Sequence, residues 1–149
     1  MKPKHVALQR TIGYQFQEPA LLVRALTHRS FGADNNERLE FIGDGLVNAV
    51  VAELLYAHYP DLDEGSLSRL RSKLVSREGL ATLAERFELG PLVLLGAGER
   101  KSGGRHRASI MADTVEALAG GMFVEAGFGR AREIVASWFI ADGASIDIH

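Results

Sequence analysis

The sequence predicts an all-α protein with a single domain. Apolar side chains recur along most of the chain at the three-to-four-residue spacing of an amphipathic helix. Strand character is limited to residues 92–95, a run too short to build a sheet. A length of 149 residues with 46% hydrophobic content suffices for one buried core but not for two ordinary domains. We therefore predict one domain over residues 1–149, with its core in 8–140 and a loosely ordered tail at 141–149.

The first three of about seven predicted helices are bounded by glycine and proline. The first covers residues 6–11 and stops at Gly13, and the second covers 19–26 with a proline in its first turn. After a polar loop, the third runs over 37–58. It ends before Pro60, because proline cannot continue a helix.

The remaining helices follow that proline. Ser76 is a suitable N-cap for the fifth helix, and a stretch rich in glycine and proline precedes the sixth. The predicted ranges are 64–75, 76–87, 107–126 and 130–139.

The composition excludes several kinds of site. Because the sequence contains no cysteine, the chain has no disulfide, thiolate metal site or cysteine nucleophile, which fits a reducing cytoplasm. It shows no secretory leader and no apolar run long enough for a membrane span, so we expect a cytoplasmic protein with no membrane partner.

A basic segment at residues 99–107 contrasts with the overall charge. The net charge of -2 should not attract a polyanion to the whole surface. The segment ERKSGGRHR is either a local nucleic-acid contact or a solvated loop, and its cations are Arg100, Lys101, Arg105 and Arg107.

Two predicted helices each carry acids opposite an apolar stripe. On the third, Glu37, Glu40 and Asp44 share one side, away from the stripe that contains Leu39 and Leu46. On the sixth, the acids are Asp113 and Glu116, and the stripe is Met111, Val115, Leu118 and Met122. If the acidic faces converge, their repulsion calls for a divalent cation, and an oxygen-only ligand set favours Mg²⁺ or Mn²⁺ over Zn²⁺. Such ions suit phosphoryl chemistry.

Simpler interpretations of these residues remain open at this stage. Asp34 and Glu37 resemble a helix capping box, and an acidic face is often only a solvated one. Phe41 lies beside the acidic stripe, where it is either an interface anchor or a contact within the monomer. The histidines His28, His58 and His106 have no partners at motif spacing and are expected to be structural or solvent-facing.

Residues 36–47, NERLEFIGDGLV, closely resemble the signature segment of the ribonuclease III family. Further segments that match in order are LTHRS at 26–30, DEG at 63–65, KSGG at 101–104 and SIMADTVEALAGG at 109–121. The resemblance extends over about 8–139. Ile42 and Gly45 are mild departures, and Gly45 can permit close approach by another backbone.

The resemblance implies a dimeric, all-helical endonuclease domain whose two acidic centres share one valley that holds double-stranded RNA. Asp44 and Glu116 match catalytic acids, and the metal-binding set is Glu40, Asp44, Asp113 and Glu116. Glu37 and Glu64 match further acids of the valley that handle substrate at the cleavage site. Phe41 matches an aromatic that inserts into the partner subunit.

The implied reaction is hydrolysis of RNA phosphodiesters with Mg²⁺, or Mn²⁺ in its place, and no small-molecule cofactor. Its products carry 5′-phosphate and 3′-hydroxyl ends with short 3′ overhangs, as in the maturation of ribosomal RNA precursors. Asn48 is a candidate for orienting a metal-bound water. Bacterial members usually continue into a double-stranded-RNA-binding domain, so this chain is expected to be either an excised catalytic part or a natural short form. Its closeness to the longer bacterial pattern, including KSGG, favours the excised part.

Two other functions remain possible on the sequence. One is a non-cutting RNA-processing module with the same fold, which the intact acids disfavour. The other is an all-α nucleotide pyrophosphohydrolase, whose typical adjacent glutamate pair is absent from this sequence.

Overall fold

The computed structural model describes residues 2–140 and contains eight α-helices in that range. They are α1 (Pro3–Ile12), α2 (Pro19–Ala25), α3 (Glu37–His58), α4 (Glu64–Val75), α5 (Arg77–Arg86), α6 (Ala97–Lys101), α7 (Ala108–Ala126) and α8 (Phe128–Trp138). Short 3-10 turns occur at Gly90–Leu92 and Gly104–His106. The all-α prediction is confirmed, while the tail prediction for 141–149 lies outside the described residues.

The helix count differs from the sequence prediction by one short element. Helix α6 lies inside the glycine-rich stretch that the sequence predicts to be irregular, and its five residues are too few to show a helical period. The suspected strand at 92–95 contributes only an isolated parallel bridge between Leu94 and Thr27. That bridge ties the stretch before α6 to the end of α2.

Helix α7 runs through the middle of the domain and packs against α2, α3, α5 and α8. Between Ile110 and Met122 every residue except Asp113 is buried. The predicted apolar stripe is therefore buried, but the opposite side of the helix, from which we expected Asp113 and Glu116 to project away from the packing, is buried as well. Glu116 faces protein on a helix that is enclosed on nearly all sides.

Helices α3 and α7 approach so closely that two glycines are required at the contact. A Cβ atom on Gly43 would lie 1.7 Å from the carbonyl oxygen of Glu116, and one on Gly120 would lie 1.9 Å from that of Leu39. Gly45, where the sequence suggested a close approach, has nothing within 4 Å of such an atom. The close approach occurs at Gly43 instead, because that residue is on the buried side of α3.

Capping residues set the starts of α4 and α5. The amide of Ser66 donates to the Asp63 carboxylate over 2.8 Å, and the amide of Gly79 donates to the Ser76 hydroxyl over 3.0 Å. The suspected capping box before α3 is not formed, since Asp34 instead pairs with Arg24 at 2.8 Å. Within residues 2–140, no helix has the length and apolar character needed to cross a membrane.

Candidate metal centre

Three carboxylates meet where α3 crosses α7. Glu40 comes from α3, Asp113 and Glu116 come from α7, and one oxygen of each lies within 4.8 Å of the others. Gly43 and Gly120 stand about one turn away from these acids on their helices, and their lack of side chains lets the helix backbones touch. The backbone contact therefore determines the closeness of the three carboxylates.

Asp44 completes the group from the solvent side. Its side chain shares a hydrogen bond with Glu116, and the Asn48 amide donates to its carbonyl oxygen at 2.9 Å and to its carboxylate at 3.3 Å. The sequence suggested that Asn48 orients a water. Its observed partner is Asp44, so it helps to orient a carboxylate.

The surroundings of the cluster favour protonated carboxyls when no cation is bound. Burial, the Asp44 hydrogen bond and the repulsion of neighbouring acids raise the pKa of Glu116 to about 9. Burial and the proximity of Asp113 raise the pKa of Glu40 to about 7. Burial also raises the pKa of Asp113, although its bond to Glu40 and the nearby His28, Arg77 and Arg29 oppose the rise.

A divalent cation fits this donor set. The three carboxylates are buried or half-buried, and no lysine or arginine in residues 2–140 forms an ion pair with any of them. All the donors are hard oxygens, which Mg²⁺ and Mn²⁺ prefer. A cation would replace the protons that otherwise neutralise the cluster.

An open cleft of about 290 Å³ lies over the cluster, and five residues line it: Glu37, Glu40, Phe41, Asp44 and Glu116. The side chain of Phe41 is 83% exposed, which excludes the alternative that it packs within the monomer. Glu37 pairs with Arg29 at 3.6 Å on the exposed rim. Glu64 begins α4 and is exposed, but it does not line this cleft, so its place in an acidic valley stays a prediction.

The basic segment 99–107 divides into two pairs of residues. Arg107 binds Glu99 at 3.2 Å and Ser102 at 3.3 Å, and Arg105 donates to the carbonyl oxygen of Gly90 at 3.3 Å. These two side chains help to fold the loop. Arg100 and Lys101 are exposed and have no ion-pair partner among the described residues, so they are available for an external anion.

The sequence did not reveal the basic residues around the cluster. His28, Arg29 and Arg77 all act electrostatically on Asp113, yet they come from the loop before α3 and from the first turn of α5. Spacing along the chain could not relate them to Asp113. The one available signal was the position of His28 and Arg29 in the segment LTHRS.

The chain is similar to a known protein family over most of its length. A protein-family model described as Ribonuclease-III-like matches residues 18–142. The chain belongs to the ribonuclease III family. Its acidic cluster falls inside the matched range.

Individual relatives agree with the family match. A protein of Bordetella avium named Ribonuclease 3 is 51% identical over 94% of this chain, and the chain spans 56% of its length. A structure of the ribonuclease III nuclease domain of Campylobacter jejuni superposes with a TM-score of 0.90, at 38% identity and with coverage of 99% of this chain and 100% of that one. A second structure of that domain, described for flexibility in a region involved in dimer formation, gives 0.85 at 39% identity, covering 89% of this chain and 93% of that one.

Proposed function

We propose that this chain is an endoribonuclease that hydrolyses double-stranded RNA with the help of a divalent cation. The observation that carries the proposal is the cluster of Glu40, Asp113 and Glu116 within 4.8 Å, without an ion-pair partner among residues 2–140, under an open cleft. The relative named Ribonuclease 3 supports the same activity. We also propose that its substrates include precursors of ribosomal RNA and that the protein acts in the cytoplasm.

In this proposal the acids have distinct roles. Glu40, Asp44, Asp113 and Glu116 hold Mg²⁺, with Mn²⁺ as a substitute, and the bound ion would position and activate the water that attacks a phosphodiester. Asp44 and Glu116 form a hydrogen-bonded pair, so a proton can be held between their carboxyl oxygens. Attack with loss of the 3′ oxygen gives 5′-phosphate and 3′-hydroxyl ends.

The proposed enzyme is a homodimer that buries Phe41. An aromatic side chain that is 83% exposed at the edge of a charged cleft is costly in water, and a second copy of the chain would cover it. The Campylobacter domain is described with a region involved in dimer formation. Two clefts side by side would cut both strands and leave short 3′ overhangs, with Glu37 and Glu64 in the shared acidic valley.

The test is incubation of the chain with long double-stranded RNA and Mg²⁺, followed by sequencing of the product ends. We expect short duplexes with 5′-phosphates, and no products in EDTA or with Asp44→Asn. Binding without cutting would favour the non-cutting module, and hydrolysis of nucleoside triphosphates without RNA cleavage would favour the pyrophosphohydrolase. Either result would overturn the proposal.

A further inference from the structure

His28 lies in the loop between α2 and α3, where its position is fixed by the main chain. The amide of His28 donates to the carbonyl oxygen of Leu94 at 2.9 Å, and the amide of Leu94 donates to the carbonyl oxygen of Leu26 at 2.8 Å. The loop is thereby tied to the stretch before α6. The half-buried ring is also close enough to act electrostatically on Asp113.

One nitrogen of the ring is fully engaged by Ser30. The Ser30 amide donates to Nδ1 at 3.1 Å, and the Ser30 hydroxyl oxygen lies 2.8 Å from the same atom. That oxygen also accepts from the Gly96 amide at 2.9 Å. Because Nδ1 already accepts from the Ser30 amide, the hydroxyl is the donor in its own contact with Nδ1. Gly96 is needed there, because a Cβ atom would lie 2.2 Å from the carbonyl oxygen of Ser30.

These contacts determine which nitrogen carries the proton. An Nδ1 atom that accepts from an amide N–H has no proton of its own, so the neutral ring is protonated at Nε2. Among residues 2–140, Nε2 forms no hydrogen bond or ion pair. Asp113, its acidic neighbour, shares its hydrogen bond with Glu40 instead. A donor therefore remains available beside the carboxylate cluster.

Resting on the proposed function, we propose that the Nε2–H of His28 donates to a phosphate oxygen of the bound RNA strand, and that Ser30 holds the ring in the required tautomer. An anionic phosphate at the cleft meets carboxylates, so a hydrogen-bond donor nearby offsets part of that repulsion. A nitrogen that carries a proton cannot bind a metal ion. The donor and the cation therefore do not compete for the same atom.

The experiment compares two substitutions that keep opposite halves of the imidazole. His28→Asn keeps an acceptor near the place of Nδ1 for Ser30 but has no donor near that of Nε2. His28→Gln reaches the place of Nε2 with an amide N–H but gives up the acceptor. We expect His28→Asn to raise KM for duplex RNA about tenfold to a hundredfold, the usual effect of losing a hydrogen bond to a charged group, and His28→Gln to stay within a few-fold of wild type.

Three further measurements separate substrate binding from loop structure. RNA affinity, measured in a Glu116→Gln background that cannot cut, should fall only with His28→Asn. The rise in melting temperature with Mg²⁺ alone should be unaffected by either substitution. Nitrogen chemical shifts of the ring should show the proton on Nε2, and Ser30→Ala should move part of it to Nδ1.

If His28→Gln raises KM and His28→Asn leaves KM near the wild-type value, the ring only supports the loop and the inference is overturned. Equal losses in both variants together with lower melting temperatures would overturn it as well. If the wild-type chain cuts duplex RNA and His28→Asn cuts it equally well at low substrate, this inference alone fails. A wild-type chain that neither binds nor cuts duplex RNA would overturn the proposed function, and the role of His28 with it.

Discussion

The substitution Glu116→Gln should make the cation-free protein more stable at neutral pH while abolishing cleavage. The pKa of Glu116 rises from 4.5 to about 9 on folding, mainly because the side chain is buried. The stability associated with this group is therefore complete below pH 4.5 and declines as pH rises towards 9, because the unfolded carboxyl ionises first. At about 1.4 kcal/mol per pH unit, the loss between pH 4.5 and 7 is about 3.5 kcal/mol. Glutamine has no proton to lose, and its amide can still donate to Asp44.

The assay is urea unfolding in EDTA at pH 5, 7 and 9, comparing wild type with Glu116→Gln. We expect the free energies of unfolding to be similar at pH 5 and to diverge in favour of the variant as pH rises. Mg²⁺ should then raise the melting temperature of wild type more than that of the variant, which lacks a ligand. Parallel curves from pH 5 to 9 would refute the reasoning.

Glu125 on the same helix provides the control for this experiment. Burial opposes its ionisation, but hydrogen bonds from the Tyr14 hydroxyl and from the amides of Gln17 and Glu18 outweigh it and lower its pKa. The stability that Glu125 provides is therefore present above the ordinary carboxyl pKa and lost as pH falls through the folded value. Glu125→Gln should destabilise the protein at pH 7, opposite to Glu116→Gln.

Three further substitutions test the interface, the helix contact and the basic loop. Phe41→Ala should weaken the dimer by about 2 kcal/mol, so that in sedimentation it dissociates at a higher protein concentration than wild type does. The control is Tyr56→Ala, which removes another exposed aromatic on α3 and should leave the dimer unchanged; equal dissociation of wild type and Phe41→Ala would contradict the prediction. Gly43→Ala should lower the free energy of unfolding in urea by about 3 kcal/mol or more, because the added carbon would lie 1.7 Å from a backbone oxygen. Gly45→Ala should leave that free energy unchanged or raise it by up to about 1 kcal/mol, and similar effects at both glycines would disprove the close contact. Joint replacement of Arg100 and Lys101 by alanine should weaken the binding of duplex RNA. The slope of log binding constant against log salt concentration should become shallower by about one for each phosphate that is no longer neutralised, and an unchanged slope would exclude a role for these two residues in binding phosphates.

The sequence predicted features that depend on local spacing. The end of α3 and the start of α4 match the predicted ranges because Pro60 and the capping residue Asp63 lie close by in sequence. The acids on α3 and α7 were also recognised, since three-to-four-residue spacing is visible along the chain. What the spacing could not show is how two helices meet. Gly43 and Gly45 look equivalent in sequence, and only the position of α7 makes one of them indispensable.

The glycine contact also bears on how the charge of the cluster is neutralised. The backbones of α3 and α7 touch at Gly43 and Gly120, and this brings the three carboxylates within 4.8 Å of one another without a lysine or arginine paired to them among residues 2–140. The basic residues that act on Asp113 lie outside the α3–α7 contact, in the loop before α3 and on α5. They oppose the rise in its pKa without forming an ion pair with it. Within the described residues, the charge of the three carboxylates is therefore neutralised either by protons or by a small bound ion.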